Sequence, residues 1–331
     1  MRDKVQKTLE DVDNYEQSVN ATLATLHIYK YDDTTKKIDA SIKSWFGKKM
    51  NPGEITPDLL IQLDEQRGII TELKRSLPKN EGDKDLWKEE FDQLKKYDSD
   101  LKGWETPNKK ITEQDLILLT SQKIGIHVND YIDEKNLSFK DFSKEFAVLQ
   151  FNPASGIKQA VFLQKIKGKV TDYKKITNDR LRTGITVSLE YLLMSGLSKI
   201  KFIDVKPNIV YLMSIMWDFV FSSIPTEEDW RTARESKGGK IVEISIDVDD
   251  VRTKLNQNFT INGDNGVVKN EWVKEALENF VKIKLAKRNV TGYSIKYRKK
   301  IKDEGESDNK HKVFADLLFK EGVQTSLEEH Y

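Results

Sequence analysis

The chain has 331 residues, and its 55 lysines and arginines almost balance its 54 aspartates and glutamates, which leaves a formal net charge of +1. This balance excludes attraction of nucleic acid by overall charge alone. The absence of cysteine excludes disulfides, zinc–thiolate sites and cysteine nucleophiles, and a chain of this length favours two domains.

The sequence carries no pattern typical of targeting or membrane segments. Its first residues are charged and lack the apolar centre of a signal peptide. The apolar stretch from Ile209 to Val220 is too short to cross a bilayer. We therefore expect a cytoplasmic protein without a membrane partner, or a virion component if the chain is viral.

Apolar residues at heptad spacing predict helices throughout residues 1–105. In the first helix these residues are Val5, Leu9, Val12, Val19, Leu23 and Leu26. In the second they are Leu59, Leu63, Ile70, Leu73 and Leu77, and in the third they are Trp87, Phe91, Leu94 and Leu101. Because coiled coils and packed bundles share this spacing, the region either joins copies of the chain or packs against its remainder.

The start of the second predicted helix has its own signals. Thr56 is a typical N-cap, Pro57 suits the first helical position, and Asp58 adds an acid to the first turn. These signals favour a helix over residues 56–77.

Residues 106–331 are predicted to form a larger, mainly helical core domain. Leu-, Ile- and Met-rich segments at 185–197 and 209–221 are typical of buried helices. The apolar period changes to two within 240–268, which predicts a small β element. The predicted fold class is mainly α: an N-terminal helical bundle or coiled-coil region, then a helical core domain with a small C-terminal β-hairpin or sheet.

The sequence lacks the motifs that usually identify an enzyme. It has no phosphate-binding glycine loop, no nucleophile elbow, and four histidines that are far apart along the chain. We therefore expect no metal site and no cofactor, and we favour a non-enzymatic protein over an enzyme.

One enzyme pattern competes with that expectation. Glu190, followed by Asp204 and Lys206 at the end of a predicted strand over 200–205, resembles nucleases of the PD-(D/E)xK type. In such enzymes two acids hold Mg²⁺ and the lysine steadies the attacking water or the phosphate. The pattern is degenerate in a chain rich in lysine and aspartate, and Glu190 lies in a predicted buried helix.

Two windows concentrate positive charge among tyrosines, a composition that suits phosphate contacts and base stacking. The residues predicted to bind nucleic acid in the first window are Lys165, Lys167, Lys169, Tyr173, Lys174, Lys175, Arg180 and Arg182. Those in the second window are Lys287, Arg288, Tyr293, Lys296, Tyr297, Arg298, Lys299 and Lys300. The alternative is that both windows are solvated faces balanced by acids elsewhere.

Two short strings resemble nucleoproteins of segmented negative-strand plant RNA viruses of the emaravirus kind. They are Ala147–Ala154 (AVLQFNPA) and Asn178–Leu181 (NDRL), the second of which contains an aspartate that the family's N-R-L string lacks. The resemblance implies a helical, self-assembling protein that coats RNA and has no enzymatic activity.

The leading hypothesis from the sequence is a non-enzymatic nucleic-acid-coating protein, such as a nucleoprotein or virion component. It would bind single-stranded nucleic acid, with RNA favoured over DNA, and form a homo-oligomer through the N-terminal helices. The alternatives are a scaffold or assembly protein without nucleic acid and the Mg²⁺-dependent nuclease described above.

Overall fold

The computed structural model divides the chain into two compact units, residues 16–205 and residues 1–15 with 206–331. The sequence-predicted boundary between residues 105 and 106 lies inside the first of these units. The residues that the structure describes are 2–32, 37–51, 55–74, 84–105, 111–134, 142–153, 160–235, 241–261, 266–298 and 309–319.

A curled, mixed sheet of seven strands forms the centre of unit 16–205. Its strands follow one another across the sheet in chain order, and β5, β6 and β7 are parallel while the other neighbours are antiparallel. The strands are β3 (Lys43–Phe46), β4 (Leu59–Gln62), β5 (Arg67–Lys74), β6 (Glu113–Ser121), β7 (Phe146–Pro153), β8 (Ala160–Gly168) and β9 (Ile185–Ser188).

Helices connect the parallel strands and flank the sheet. Those of this unit are α1 (Arg2–Lys30, from residue 16 onward), α2 (Lys84–Tyr97), α3 (Gln122–Glu134), α4 (Asn178–Thr183) and α5 (Leu189–Met194). A separate two-stranded ribbon, β1 (Tyr31–Asp32) with β2 (Lys37–Ile38), follows α1.

The seven-stranded sheet shows that the predicted mainly-α fold class is wrong. The second predicted helix is the hairpin β4–β5, in which Asp64 makes the turn: its carboxylate accepts hydrogen bonds of 2.8 Å from the backbone N–H groups of Gln66 and Arg67. Both strands are almost entirely buried. Strands covered on both faces give continuous apolar runs, which periodicity does not separate from a buried helix.

The same cause explains the other errors. Within the predicted helical core domain, residues Glu113–Ser121 form strand β6, whose residues 114–120 are all buried, and the predicted helix over 185–197 begins as β9. Two predicted helices are confirmed as α1 and α2. In α1 the spaced residues Val19, Leu23 and Leu26 are at most 3% exposed within the chain itself. Oligomerisation through this helix stays a prediction.

One apolar layer lies between the sheet and helices α2 and α3. It joins buried side chains of β4 to β7 with side chains of both helices, and thereby places the end of α2 beside β5. Its members include Leu60, Ile70, Leu116, Leu118, Val148, Phe91, Leu94, Tyr97, Ile124 and Val128.

The other unit is built around Trp217, which is fully buried and contacts the rings of Phe280, Tyr297 and Phe314. The predicted strand near residue 242 is confirmed as β10, but it pairs with β12 rather than forming a hairpin within 240–268, part of which lies outside the described residues. The elements are α6 (Ile209–Ile215, continued by a π-turn), α7 (Glu227–Glu235), β10 (Val242–Ile246), α8 (Val248–Phe259), α9 (Asn270–Lys282), β11 (Ala286–Arg288), β12 (Tyr293–Tyr297) and α10 (Lys310–Phe319).

Among the described residues, no single helix has both the length and the apolarity needed to cross a membrane. One pair of helices, Ile209–Ser223 and Glu227–Glu235, reaches that length and composition only when joined across a 96° bend. The first of them supplies Trp217 to the core just described.

A buried carboxylate attaches the segment after β8 to the sheet. Asp115 on β6 is 6% exposed and accepts hydrogen bonds from the backbone N–H of Thr171 at 2.8 Å and from its hydroxyl at 2.9 Å. Burial raises the pKa of Asp115 to about 6, against the opposing effect of the Thr171 hydrogen bonds. Burial therefore makes the ionised form of Asp115 less stable, relative to the protonated form, than it is in water.

This raised pKa predicts how an Asp115→Asn variant responds to pH. A carboxyl whose pKa is higher in the folded chain lowers the free energy of unfolding as pH rises from its unfolded pKa of about 4 through about 6. The free energy of unfolding of Asp115→Asn, measured by urea denaturation relative to the wild type, should therefore rise by on the order of 2–3 kcal/mol between pH about 4 and pH about 7. The control is Asp179→Asn, whose side chain is 90% exposed. A stability difference for Asp115→Asn that stays constant over this range would contradict the prediction.

Candidate carboxylate site at the end of strand β5

Two acidic side chains lie opposite each other at one end of the β4–β5 hairpin. Leu59 pairs with Thr71 in the antiparallel register, so Asp58, one residue before β4, stands across from Glu72. Directly opposed residues of antiparallel strands project to the same face. The backbone N–H of Leu73 donates a 2.7 Å hydrogen bond to Oδ2 of Asp58, which fixes this carboxylate against the end of β5.

A lysine completes the group on the same strand. Lys74 lies two residues after Glu72, and side chains at this spacing share one face of a strand. Its Nζ is 3.3 Å from Oε1 of Glu72, and the two side chains are 17% and 7% exposed. The ammonium therefore lies beside the carboxylate in a partly desolvated position.

Helix α2 holds the Glu72 carboxylate through both oxygens. Nε2 of Gln93 donates to Oε1 at 3.0 Å, and the hydroxyl of Tyr97 donates to Oε2 at 2.7 Å. Gln93 and Tyr97 are four residues apart and thus lie on one face of α2. Tyr97 is 1% exposed, and burial together with the negative charge of Glu72 raises the pKa of its hydroxyl. The phenol therefore stays protonated and remains a donor.

The site has an excess of negative charge. Burial raises the pKa of Asp58 well above its usual value, and the charges of Glu72 and Asp204 raise it further, against the Leu73 N–H and Lys74, which lower it. The Asp204 carboxylate lies against residue 47, which is a glycine with φ of +57°. A Cβ at this position would lie 2.2 Å from Cγ of Asp204, so only glycine leaves room for the carboxylate. Clustered, partly buried carboxylates of this kind are stabilised by a cation.

The oxygen donors suit a hard cation that keeps much of its water. Among the residues that the structure describes, no three or more histidine, aspartate or glutamate side chains converge on one metal position. Mg²⁺ does not require such a cage, because proteins usually bind it through one or two carboxylates plus waters and substrate phosphates. Asp58 and Glu72 fit that requirement.

Of the three residues predicted for a nuclease, the structure brings one to this site. Asp204 interacts electrostatically with Asp58, although residues 200–205 form no strand. Glu190 lies exposed in the first turn of α5, where its N–H bonds to the Ser188 hydroxyl. Lys206 belongs to the other unit and pairs with Glu275 at 2.5 Å.

The residues that the sequence analysis missed form the same pattern elsewhere. Pro57 and Asp58 supply the P-D, and Glu72, Leu73 and Lys74 supply the E-x-K, fourteen residues further on. In the helix predicted for this segment, Asp58 and Glu72 would be about 21 Å apart along the axis. The two strings are visible in the sequence, but only the pairing of β4 with β5 brings them together.

The first basic window carries many cations that already have partners. Lys167 pairs with Asp133, Lys169 with Glu145 at 2.7 Å, Lys174 with Asp39 at 2.7 Å, and Arg182 with Asp179 at 3.5 Å. Nζ of Lys165 donates to Oδ1 of Asn178 at 2.8 Å, and Arg180 donates to the Lys175 carbonyl at 3.3 Å. Tyr173 is 7% exposed. Pairing with carboxylates weakens the support for a phosphate-binding groove here.

The second window lies in the other unit. Arg288 pairs with Glu278 at 2.5 Å, and the Tyr293 hydroxyl donates to the same carboxylate at 2.6 Å. Tyr297 and Arg298 are buried, Lys296 is half-buried and Lys287 is exposed. Lys299 and Lys300 lie outside the described residues. Nucleic-acid binding by these residues stays a prediction.

Comparison of the chain with protein-family models, with curated proteins and with solved structures gives no match.

The Tyr97–Glu72 hydrogen bond makes a stability prediction. Tyr97→Phe leaves the ring in the core and removes only the donor to a buried carboxylate, so it should lower the free energy of unfolding by about 1–3 kcal/mol. Tyr191→Phe is the matched control, because that side chain is 40% exposed on α5 and should change stability by less than about 0.5 kcal/mol. Equal effects of the two substitutions in urea denaturation would show that the hydroxyl does not stabilise Glu72.

Proposed function

We propose that the protein is a Mg²⁺-dependent nuclease of the PD-(D/E)xK type, in which Asp58, Glu72 and Lys74 form the catalytic group. The observation that carries the proposal is the convergence of these three side chains, a P-D and an E-x-K in sequence, at one end of the β4–β5 hairpin. With Mg²⁺ bound, two acids and a lysine in this arrangement would have the chemistry needed to cleave a phosphodiester.

Each residue has a distinct role in this proposal. The carboxylates of Asp58 and Glu72 would hold Mg²⁺, which supplies an activated water and neutralises charge on the phosphate. Lys74, whose ammonium is 3.3 Å from Glu72, would orient the attacking water or hold a phosphate oxygen. Tyr97 and Gln93 are positioning residues, since they hold both oxygens of Glu72.

A nucleic-acid-coating protein and a protein scaffold are the alternative functions. The nuclease is favoured over both because its residues converge within one unit. The cations that would coat nucleic acid instead lie in two units, and many of them are paired with carboxylates.

The proposal predicts metal-dependent cleavage that depends on the hairpin residues. Labelled single-stranded DNA, duplex DNA and RNA should each be incubated with the full chain in Mg²⁺ and in EDTA. At least one substrate should be cleaved in Mg²⁺ alone, and Glu72→Gln and Lys74→Met should each lower the rate roughly 100-fold or more, because each removes a group that stabilises charge in the transition state.

Matched controls come from the pattern that the sequence first suggested. Glu190→Gln and Lys206→Met make the same chemical changes at residues with other partners, and both should keep the wild-type rate within about twofold. Circular dichroism would confirm folding of all four variants. The proposal fails if no substrate is cleaved, or if the Glu190 and Lys206 variants lose activity while the Glu72 and Lys74 variants retain it.

A further inference from the structure

A cavity lies in unit 16–205, away from the carboxylate site. It is a cavity of about 490 Å³ formed where the end of α1, the β1–β2 ribbon and the turn at 173–176 meet. This volume is within the roughly 300–1,000 Å³ of small-molecule sites in proteins. Three residues of the first basic window, Tyr173, Lys174 and Lys175, line it.

The cavity wall is strongly cationic. Lys30, Lys37, Lys174 and Lys175 line it, whereas the acid among its lining residues is Asp39, which pairs with Lys174 at 2.7 Å. Burial lowers the pKa of Lys30, which means that its ammonium is partly removed from water. An anion in the cavity would replace that lost hydration, and it would face a formal excess of three positive charges over the lining residues.

Two tyrosines close part of the cavity wall. Tyr29 and Tyr31 both line it and are 3% and 9% exposed, and their phenolic oxygens are themselves buried, without a hydrogen-bond partner among the described residues. The polar groups that a ligand in the cavity would meet therefore come from the lysines.

The backbone at the cavity is also strained. Lys174 has φ of +51°, a left-handed conformation that residues other than glycine, asparagine and aspartate rarely adopt. The turn is closed by hydrogen bonds of 2.9 Å in both directions between the backbones of Tyr173 and Ile176. Strain of this kind is concentrated at ligand-binding positions.

The cavity is distinct from the carboxylate site. Tyr173 lies against the Arg67 guanidinium, which is 5.0 Å from its ring, and Arg67 begins β5. Glu72 and Lys74 lie at the other end of the same strand, roughly 20 Å away at about 3.3 Å per residue.

We propose that this cavity binds a phosphate-bearing ligand of nucleotide size. A phosphate dianion matches the cationic wall and offers acceptors to the lysines. The same chemistry is presented by a free nucleotide and by the 5′-phosphorylated end of a strand. The proposal does not depend on the nuclease assignment.

Isothermal titration calorimetry with the full chain tests the proposal. AMP, adenosine and pyrophosphate should be titrated in EDTA, so that metal-bound nucleotide at the carboxylates does not contribute. AMP and pyrophosphate should saturate a single site, and adenosine should bind at least about tenfold more weakly than AMP, because it lacks the charged group.

The variants are Lys30→Gln and Lys174→Asn, the second chosen because asparagine tolerates a left-handed backbone. Each should weaken AMP binding at least about tenfold, and Lys169→Gln, which removes a lysine paired with Glu145 and not lining the cavity, should stay within about twofold. Adenosine binding equal to AMP, no saturation by AMP and pyrophosphate, or unchanged binding in both folded cavity variants would overturn the proposal.

Competition with oligonucleotides separates the two sources of the phosphate. Displacement of AMP by a 5′-phosphorylated oligonucleotide but not by its unphosphorylated form identifies a strand end. Displacement by neither identifies a free nucleotide. Equal displacement by both would contradict a site for a terminal phosphate group.

Discussion

The carboxylate of Glu72 connects the apolar layer of unit 16–205 to the carboxylate site at the end of β5. It lies on a buried strand, and the hydrogen bonds from Gln93 and Tyr97 are made by a helix that the core layer holds in place. A buried charge is tolerated only when it is paired and hydrogen-bonded. Pairing of β4 with β5 then places Asp58 opposite Glu72, so the position of the second acid follows from that of the first.

The two candidate sites of unit 16–205 carry formal charges of opposite sign. At the carboxylate site, burial and the charges of Glu72 and Asp204 raise the pKa of Asp58, and the Leu73 N–H and Lys74 offset only part of that rise. At the cavity beside Tyr173, four lysines outnumber the one acid among the lining residues. Each site would be stabilised by a counter-charge from outside the chain, a cation at the first and an anion at the second. A protein that binds both metal and phosphate would have this distribution.

The sequence predicts the helices α1 and α2 because their apolar residues recur at helical spacing, and it predicts β10 because its residues alternate. It does not predict the central sheet. In β6, Leu116 to Leu119 are all buried, so no alternation of buried and exposed residues marks them as a strand. The carboxylate site is not predicted either, because Asp58 and Glu72 become neighbours only when β4 and β5 pair.

In the basic windows the sequence predicts a charge cluster that the folded chain largely pairs with carboxylates. Composition identifies clusters of lysine and arginine, but the acids that pair with them come from distant positions: Asp39 for Lys174, 135 residues away, and Glu145 for Lys169. Local sequence therefore overstates the free positive charge. The same long-range contacts bring Lys30 and Lys37 to Tyr173, Lys174 and Lys175, and so create a cavity that no single window contains.

Everything proposed for the carboxylate site requires that Asp58 and Glu72 hold a divalent cation together. Electron paramagnetic resonance of Mn²⁺ titrated into the full chain measures this without any substrate. The account predicts one bound Mn²⁺ per chain, displaced by Mg²⁺, lost in Asp58→Asn and in Glu72→Gln, and retained in Glu190→Gln. Absence of saturable Mn²⁺ binding, or binding that persists unchanged in both hairpin variants, would contradict it.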